Sequence, residues 1–129
     1  MKGLLVRVAA DQSAGGGLWN GPMNSSTGEF VYVAIPESSP NHPGLNKPYA
    51  ALHAPLGGHG IVLPRHLAAQ DMHLDPDFDH LTYGDQGERA KQICAKLGPG
   101  DLIVFYAGMR DVLSAPQLVY ALIGPYVVE

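Results

Sequence analysis

Apolar residues fall in short runs separated by polar stretches rich in glycine and proline, a pattern of buried strands and irregular loops rather than a helical bundle. Residues 4–10 (LLVRVAA) make the first run and read as an opening buried strand. A flexible polar loop follows at 11–17 (DQSAGGG), leading into Trp19-Asn20-Gly21-Pro22. Residues 29–35 (EFVYVAI) predict a second strand, with Phe30, Tyr32 and Ala34 alternating against Val31, Val33 and Ile35. Both of its faces are apolar, which suits a central place in a sheet. Residues 36–60 carry prolines at 36, 40, 43, 48 and 55, so nothing regular is expected there beyond a turn of helix near 49–53. A long irregular segment inside a compact domain is usually a functional loop or disorder. Residues 61–63 predict a short strand, and Pro64 starts a short helix through Gln70.

The clearest signal lies at 85–128. Asp85 is a good N-cap with Glu88 three residues on, a capping-box arrangement. Ala90, Ile93, Cys94 and Leu97 follow at helical spacing and turn one stripe to the core. Gly98 and Pro99 stop the helix. Gly100-Asp101 turns the chain into 102–107 (LIVFYA), a strongly β-forming run. After a polar loop, 117–123 and 126–128 predict one strand interrupted by a bulge or bend at Gly124-Pro125. These elements predict an α+β fold: a mixed, mostly antiparallel twisted sheet or partly open barrel, with one well-defined helix and long loops.

At 129 residues the chain is expected to be a single domain with one core. It ends just as a strand finishes, so it is also expected to be the amino-terminal part of a longer protein, with a carboxy-terminal region or a partner completing it. Its 46% hydrophobic and 16% charged residues mark it as globular. The net charge of −4, with eight Lys and Arg, provides no basic face of the kind that grips long nucleic acid by counterion release. A nucleic-acid role would therefore act on a nucleotide or a flipped base, or borrow a partner for the backbone. The single cysteine, Cys94, excludes an internal disulfide and a zinc-cysteine cage, and its place on the helix stripe predicts a buried structural thiol. No apolar run reaches the length of a membrane span and none resembles a signal peptide, so a cytoplasmic protein is expected.

Two stretches carry candidate chemistry. In the first, residues 11–22, three consecutive glycines after a strand could let the backbone approach a phosphate or a base, and Gly16 is the central one. No Gly-Lys-Ser/Thr follows and the dinucleotide fingerprint is absent. Asp11, Gln12 and Asn20 could read a base edge while Trp19 stacks on its face. The competing reading is a flexible excursion with Trp19 tucked into the core.

The second stretch, 72–85 (MHLDPDFDHLTYGD), packs Asp75, Asp77, Asp79, Asp85, His73 and His80 into fourteen residues. Pro76 and Phe78 in the spacers, with no glycine or distal glutamate in place, exclude an EF-hand. His73, Asp75 and His80 could bind a divalent metal. Equally, the aspartates could cap turns in a polar loop, or one of them could face substrate as acid or base without metal. Tyr83-Gly84-Asp85 leads into a helix start whose free amides suit an anion, with Arg89 one turn in. No serine occupies a nucleophile elbow, and nothing in the residues identifies a cofactor or an oligomeric state.

Taken in order, VRVAADQSAGGGLWNGP, FVYVAIPE, HLDPDFDHLTYGD and GDLIVFYAG resemble the nucleotide modification associated domains of the third type. These stretches are spread from Val6 to Gly108 and make up a little over a third of the chain. The resemblance implies a role in modifying nucleotides or DNA bases, typically in phage or mobile-element settings. Gly100-Asp101 with its strand, followed by LVYALIGPYVVE, also looks like the corresponding strands of PUA-like and EVE-type barrels, modules that bind modified bases or RNA. The leading expectation is a nucleotide- or base-handling domain, an enzyme or enzyme component. In it Gln12, Gly16, Trp19, Asn20, Tyr83 and Arg89 bind substrate, while Asp11, His73, Asp75 and Asp85 supply acid/base groups. Two rivals stand beside it: a non-catalytic module binding a modified base, and a metal-dependent hydrolase centred on the His/Asp cluster.

Overall fold

The computed structural model describes residues 1–38, 46–84, 87–113 and 117–129. The elements in chain order are β1 (Gly3–Arg7), β2 (Pro22–Met23), β3 (Asn46–Pro48), a 3-10 turn (Tyr49–Leu52), α1 (His53–Gly58), β4 (Asp71–His73), α2 (Glu88–Lys96), β5 (Leu102–Asp111) and β6 (Leu118–Val127). Two helices and six strands in mixed pairing make the fold α+β, and no closed barrel forms among the described residues. β5 pairs in parallel with β1 over Gly3↔Leu102 to Arg7↔Tyr106 and with β2 at Pro22↔Arg110 and Met23↔Asp111, and β6 also pairs with β5. β3 and β4 form a separate antiparallel ladder.

The chain divides into two compact units, the first comprising Met1–Val8, Asp75–Ala107 and Ala121–Glu129. Its core is Val6, Ile103 and Phe105, with Leu4, Val8, Ile93, Leu97 and Ile123 packed around them. The Phe105 ring meets Tyr126, Tyr83 and Phe78 edge-on, at centroid distances of 4.8, 5.2 and 5.9 Å. Such pairs add to simple area burial because ring edges meet ring faces. The turn at Gly100-Asp101 forms as expected. Gly100 adopts φ +88°, and the Asp101 carboxylate accepts hydrogen bonds from Lys2 N at 2.7 Å and Gly98 N at 3.0 Å. Those bonds, the one from Lys2 first, hold the Asp101 carboxyl below its ordinary range.

Several expectations for this unit need correction. α2 begins at Glu88 with Gly87 (φ +75°) as N-cap and no side-chain cap, while the expected cap, Asp85, lies outside the described residues. Glu88 pairs instead with Lys91 at 2.7 Å. The apolar stripe is narrower than the spacing suggests: Ile93 and Leu97 pack on the core but Cys94 is exposed, so it is not a buried structural thiol. β6 runs unbroken through Gly124-Pro125. A Cβ at Gly124 would stand 3.2 Å from the Phe78 ring, so that glycine makes room for an aromatic side chain rather than marking a bulge. A strand paired on one side tolerates the missing proline N–H.

The second unit comprises Ala9–Leu74 and Gly108–Tyr120. Its core is Ala10, Val31, Val33, Ala34, Tyr49, Leu52, Leu56, Leu63, Leu67 and Met72. The apolar segment 29–35 buries Val31, Val33 and Ala34 but leaves Phe30 and Ile35 exposed, and it is not a regular strand. Its backbone bonds go to three different segments, with Val31 N donating to Pro22 O, Val33 O accepting from Ala10 N and Ile35 O accepting from His73 N. No single neighbour runs alongside it long enough for a ladder. Residues 61–63 likewise form no strand, and 64–70 make successive turns rather than a helix, with Leu67 N bonded to Pro64 O and Gln70 N to Leu67 O. The expected turn of helix near 49–53 is longer, continuing as α1. Pro55 falls in the first turn of that helix, where an N–H is not needed. The Tyr49 hydroxyl, fully buried, donates to Ala34 O at 2.6 Å.

Candidate functional site

Within the second unit a cleft of about 560 Å³ opens between three chain segments. Gln12, Leu18, Trp19, Asn20 and Pro22 form one wall, Gly60, Ile61 and Val62 a second, and Arg110, Asp111 and Val112 the third. Three residues singled out from the sequence, Gln12, Trp19 and Asn20, therefore come together here.

The loop at 11–19 is built by its own polar groups. Asp11 Oδ1 accepts from the Ser13 backbone N–H at 2.8 Å and from the Ser13 hydroxyl, Asp11 N donates to Gly16 O, and Trp19 N donates to Asp11 O. A Cβ at Gly16 would lie 1.9 Å from Asp11 Oδ1 and 2.8 Å from Asp11 N. The close approach that Gly16 permits is therefore to Asp11, and both residues shape the loop. Gly17 adopts φ +87°, a region open to glycine, and its carbonyl is held by His66 Nε2 at 2.8 Å. The result places the half-buried Trp19 ring against both the core and the cleft.

Asn20 is 4% exposed and fixes the polarity of the wall. Its Nδ2 donates to Gly108 O at 2.8 Å, so its Oδ1 faces Gln12 and accepts from Gln12 Nε2 at 2.9 Å. A carbonyl can only accept, which sets the orientation of both amides in turn. The exposed Gln12 keeps its Oε1 and one N–H for another partner.

The third wall comes from the end of β5, which continues past the expected stop at Ala107 into what the sequence suggests is a polar loop. Arg110 N donates to Gly21 O and Val112 N to Met23 O, so the β2 pairing fixes this wall. Gly21 permits the fit: a Cβ there would be 3.0 Å from both Val31 O and Val33 Cγ2. Asp111 is 7% exposed, and its Oδ1 accepts from Leu113 N at 3.1 Å and Ser25 N at 3.3 Å. Arg110 is exposed, and its guanidinium has no ion-pair partner among the described residues. Sequence reasoning missed Arg110, Asp111, Ile61 and Val62. The available signal was the pair of charges closing an otherwise apolar strand.

The remaining candidates are placed elsewhere. His73 belongs to the same unit but does not line the cleft; its Nδ1 pairs with Glu37 Oε2. Asp75, Tyr83 and Arg89 belong to the first unit. There Asp75 Oδ1 accepts from Gly84 N at 2.7 Å, and Arg89 Nη1 donates to the Tyr83 hydroxyl at 3.3 Å. Asp85 lies outside the described residues.

In that first unit Asp77, 2% exposed, accepts from the backbone N–H groups of Asp79 and His80 and from His80 Nδ1 at 2.8 Å. Burial alone would push its carboxyl up. The bond from the His80 ring, the two amides and the imidazolium charge outweigh burial and bring it below its ordinary value. His80 is correspondingly raised, first by its hydrogen bond to Asp77 and then by that carboxylate's charge. The Tyr126 hydroxyl donates to Asp77 O at 2.7 Å and is pushed up to about 12, mainly by burial. Among the described residues no three His, Cys, Asp or Glu side chains are grouped to hold a metal ion. No described helix is long and apolar enough to cross a membrane.

The cleft thus combines a ring face, aliphatic walls, an oriented amide and one cation, a set that suits a flat, polar-edged ligand. No curated protein and no solved structure matches the chain. The family model of nucleotide modification associated domain 3 matches residues 2–129, and the chain belongs to that family.

Proposed function

We propose that the domain handles the base of a nucleotide, or of a nucleic acid, in the course of DNA base modification, and that the cleft of the second unit is its recognition site. The observation that carries this reading is the meeting of Trp19 with the Gln12–Asn20–Gly108 relay on one cleft. The indole supplies a stacking face, for which every base has a partner face. Gln12, oriented through Asn20, offers an acceptor and a donor to a base edge, the kind of pair by which side-chain amides read bases. Family membership supports an association with nucleotide modification. In this reading the domain is an enzyme or enzyme component.

A second reading has its own support. Among the described residues one carboxylate lines the cleft, Asp111, which is engaged by the backbone amides of Ser25 and Leu113, and Asp75 is engaged by Gly84. That favours a module which binds the base and leaves the chemistry to another centre.

Trp19 is the single tryptophan, so its fluorescence reports on the cleft without labelling. Titration with the four deoxynucleosides is expected to give a saturable change for at least one of them, weakened in Gln12→Ala. No response to any nucleoside or nucleotide, with the fold intact, would exclude the cleft as a base site. Turnover of the bound compound would separate the enzyme from the binding module.

A further inference from the structure

We infer, resting on the base-binding reading above, that the cleft is built for a phosphorylated nucleoside, a free mononucleotide, and that Arg110 takes its phosphate. The sequence pointed to Arg89 for this role, but that side chain belongs to the first unit and is bonded to Tyr83. Arg110 lies on the cleft wall opposite no other charge of its own sign: the cations among the described residues of the second unit are Lys47, Arg65 and Arg110, and Arg110 alone lines the cleft.

Three features make it a phosphate ligand rather than a surface charge. Its guanidinium has no ion-pair partner among the described residues, although the next residue is an aspartate. That neighbour is occupied, its Oδ1 accepting from the Ser25 and Leu113 amides. The backbone beneath Arg110 is also fixed, with its N–H on Gly21 O in the β2–β5 ladder. A guanidinium carried on a fixed stretch of strand, with no ion-pair partner among the described residues and on the same cleft as a stacking face, is suited to a phosphate oxygen pair.

The same charges argue for a mononucleotide rather than a strand. A polynucleotide is held by many phosphate contacts, each adding to the salt dependence. One cation on the cleft serves one phosphate. The cleft, about 560 Å³, is also within the range of small-ligand sites.

The test compares each deoxynucleoside with its 5′-monophosphate and with a single-stranded 12-mer, by Trp19 fluorescence, in the native chain and in Arg110→Gln. The best monophosphate should bind roughly tenfold or more tightly than its nucleoside, the size of a charge-assisted hydrogen bond. That ratio should collapse towards one in Arg110→Gln and recover in part in Arg110→Lys. The 12-mer should bind no more tightly than the monophosphate, with a shallow dependence on salt. A ratio near one in the native chain, or one that survives Arg110→Gln, overturns the inference while leaving base binding intact. A tighter 12-mer with a steep salt slope overturns it in favour of a strand. Failure of every nucleoside and nucleotide to bind removes the base-binding reading and this inference together.

Discussion

Gln12 Nε2 donates to Asn20 Oδ1 at 2.9 Å, and because Asn20 Nδ2 is committed to Gly108 O, the polarity of that bond cannot be reversed. The buried amide thus works as a positioning residue for the exposed one. The two should respond differently to truncation. Asn20→Ala removes a buried donor from Gly108 O and is expected to cost about 1–3 kcal/mol of stability. Gln12→Ala, on the surface, should change stability by less than about 0.5 kcal/mol while weakening nucleoside binding roughly tenfold. Thermal melts and Trp19 titrations on both variants check this; equal stability losses would show that Gln12 is structural.

The triple glycine makes a second contrast. A methyl at Gly16 would collide with both the side chain and the backbone nitrogen of Asp11, so rotating the carboxylate away cannot relieve it. A methyl at Gly15 would meet nothing within 4 Å. Gly16→Ala is expected to destabilise by about 1–3 kcal/mol and to weaken nucleoside binding, with Gly15→Ala close to neutral. Denaturant midpoints measured side by side decide it; a loop that binds phosphate through its glycine backbone would instead lose binding in both.

Tyr49 ties α1's approach to the extended segment below it through its bond to Ala34 O. Both residues are fully buried, and burial drives the phenol's pKa upward. Tyr49→Phe keeps the ring and deletes the donor, so it isolates the hydrogen bond. A loss of about 1–3 kcal/mol is expected from leaving that carbonyl unpaired. An unchanged denaturation midpoint would mean that another donor satisfies Ala34 O.

What could be read in the chain followed from how local the determinants were. The Gly100-Asp101 turn and the β5 run at 102–107 depend on neighbouring residues and form as the pattern implies. Segment 29–35 has a strand's composition but lacks a continuous companion, because its backbone bonds are shared among residues 22–24, Ala10 and His73. The break expected at Gly124 vanished for a similar reason: the glycine answers to Phe78, forty-six residues away in sequence. At the cleft, Gln12, Trp19 and Asn20 were legible because they sit in one polar loop. Arg110 and the Gly60–Val62 wall were not, since only the β2–β5 pairing and the fold of the second unit bring them to that loop.

The Asp77–His80 pair gives the first unit a pH signature whose sign is fixed by both partners. His80 is raised above its ordinary 6.5, so its stabilising contribution is complete below 6.5 and is lost as pH climbs through the raised value. Asp77 is lowered below 3.8, so its contribution is complete above 3.8 and is lost as pH falls through the lowered value. Between 3.8 and 6.5 both contributions are complete. A proton NMR titration should place the His80 midpoint above 6.5, and Asp77→Asn should return it towards 6.5 by removing both the hydrogen-bond acceptor and the charge. His80→Gln should flatten the fall in melting temperature on the alkaline side without altering the loss caused by other groups. A native His80 midpoint at or below 6.5 would show that solvent screens the exposed imidazole from the buried carboxylate, and Asp77 would then act on its loop only through the amides of Asp79 and His80.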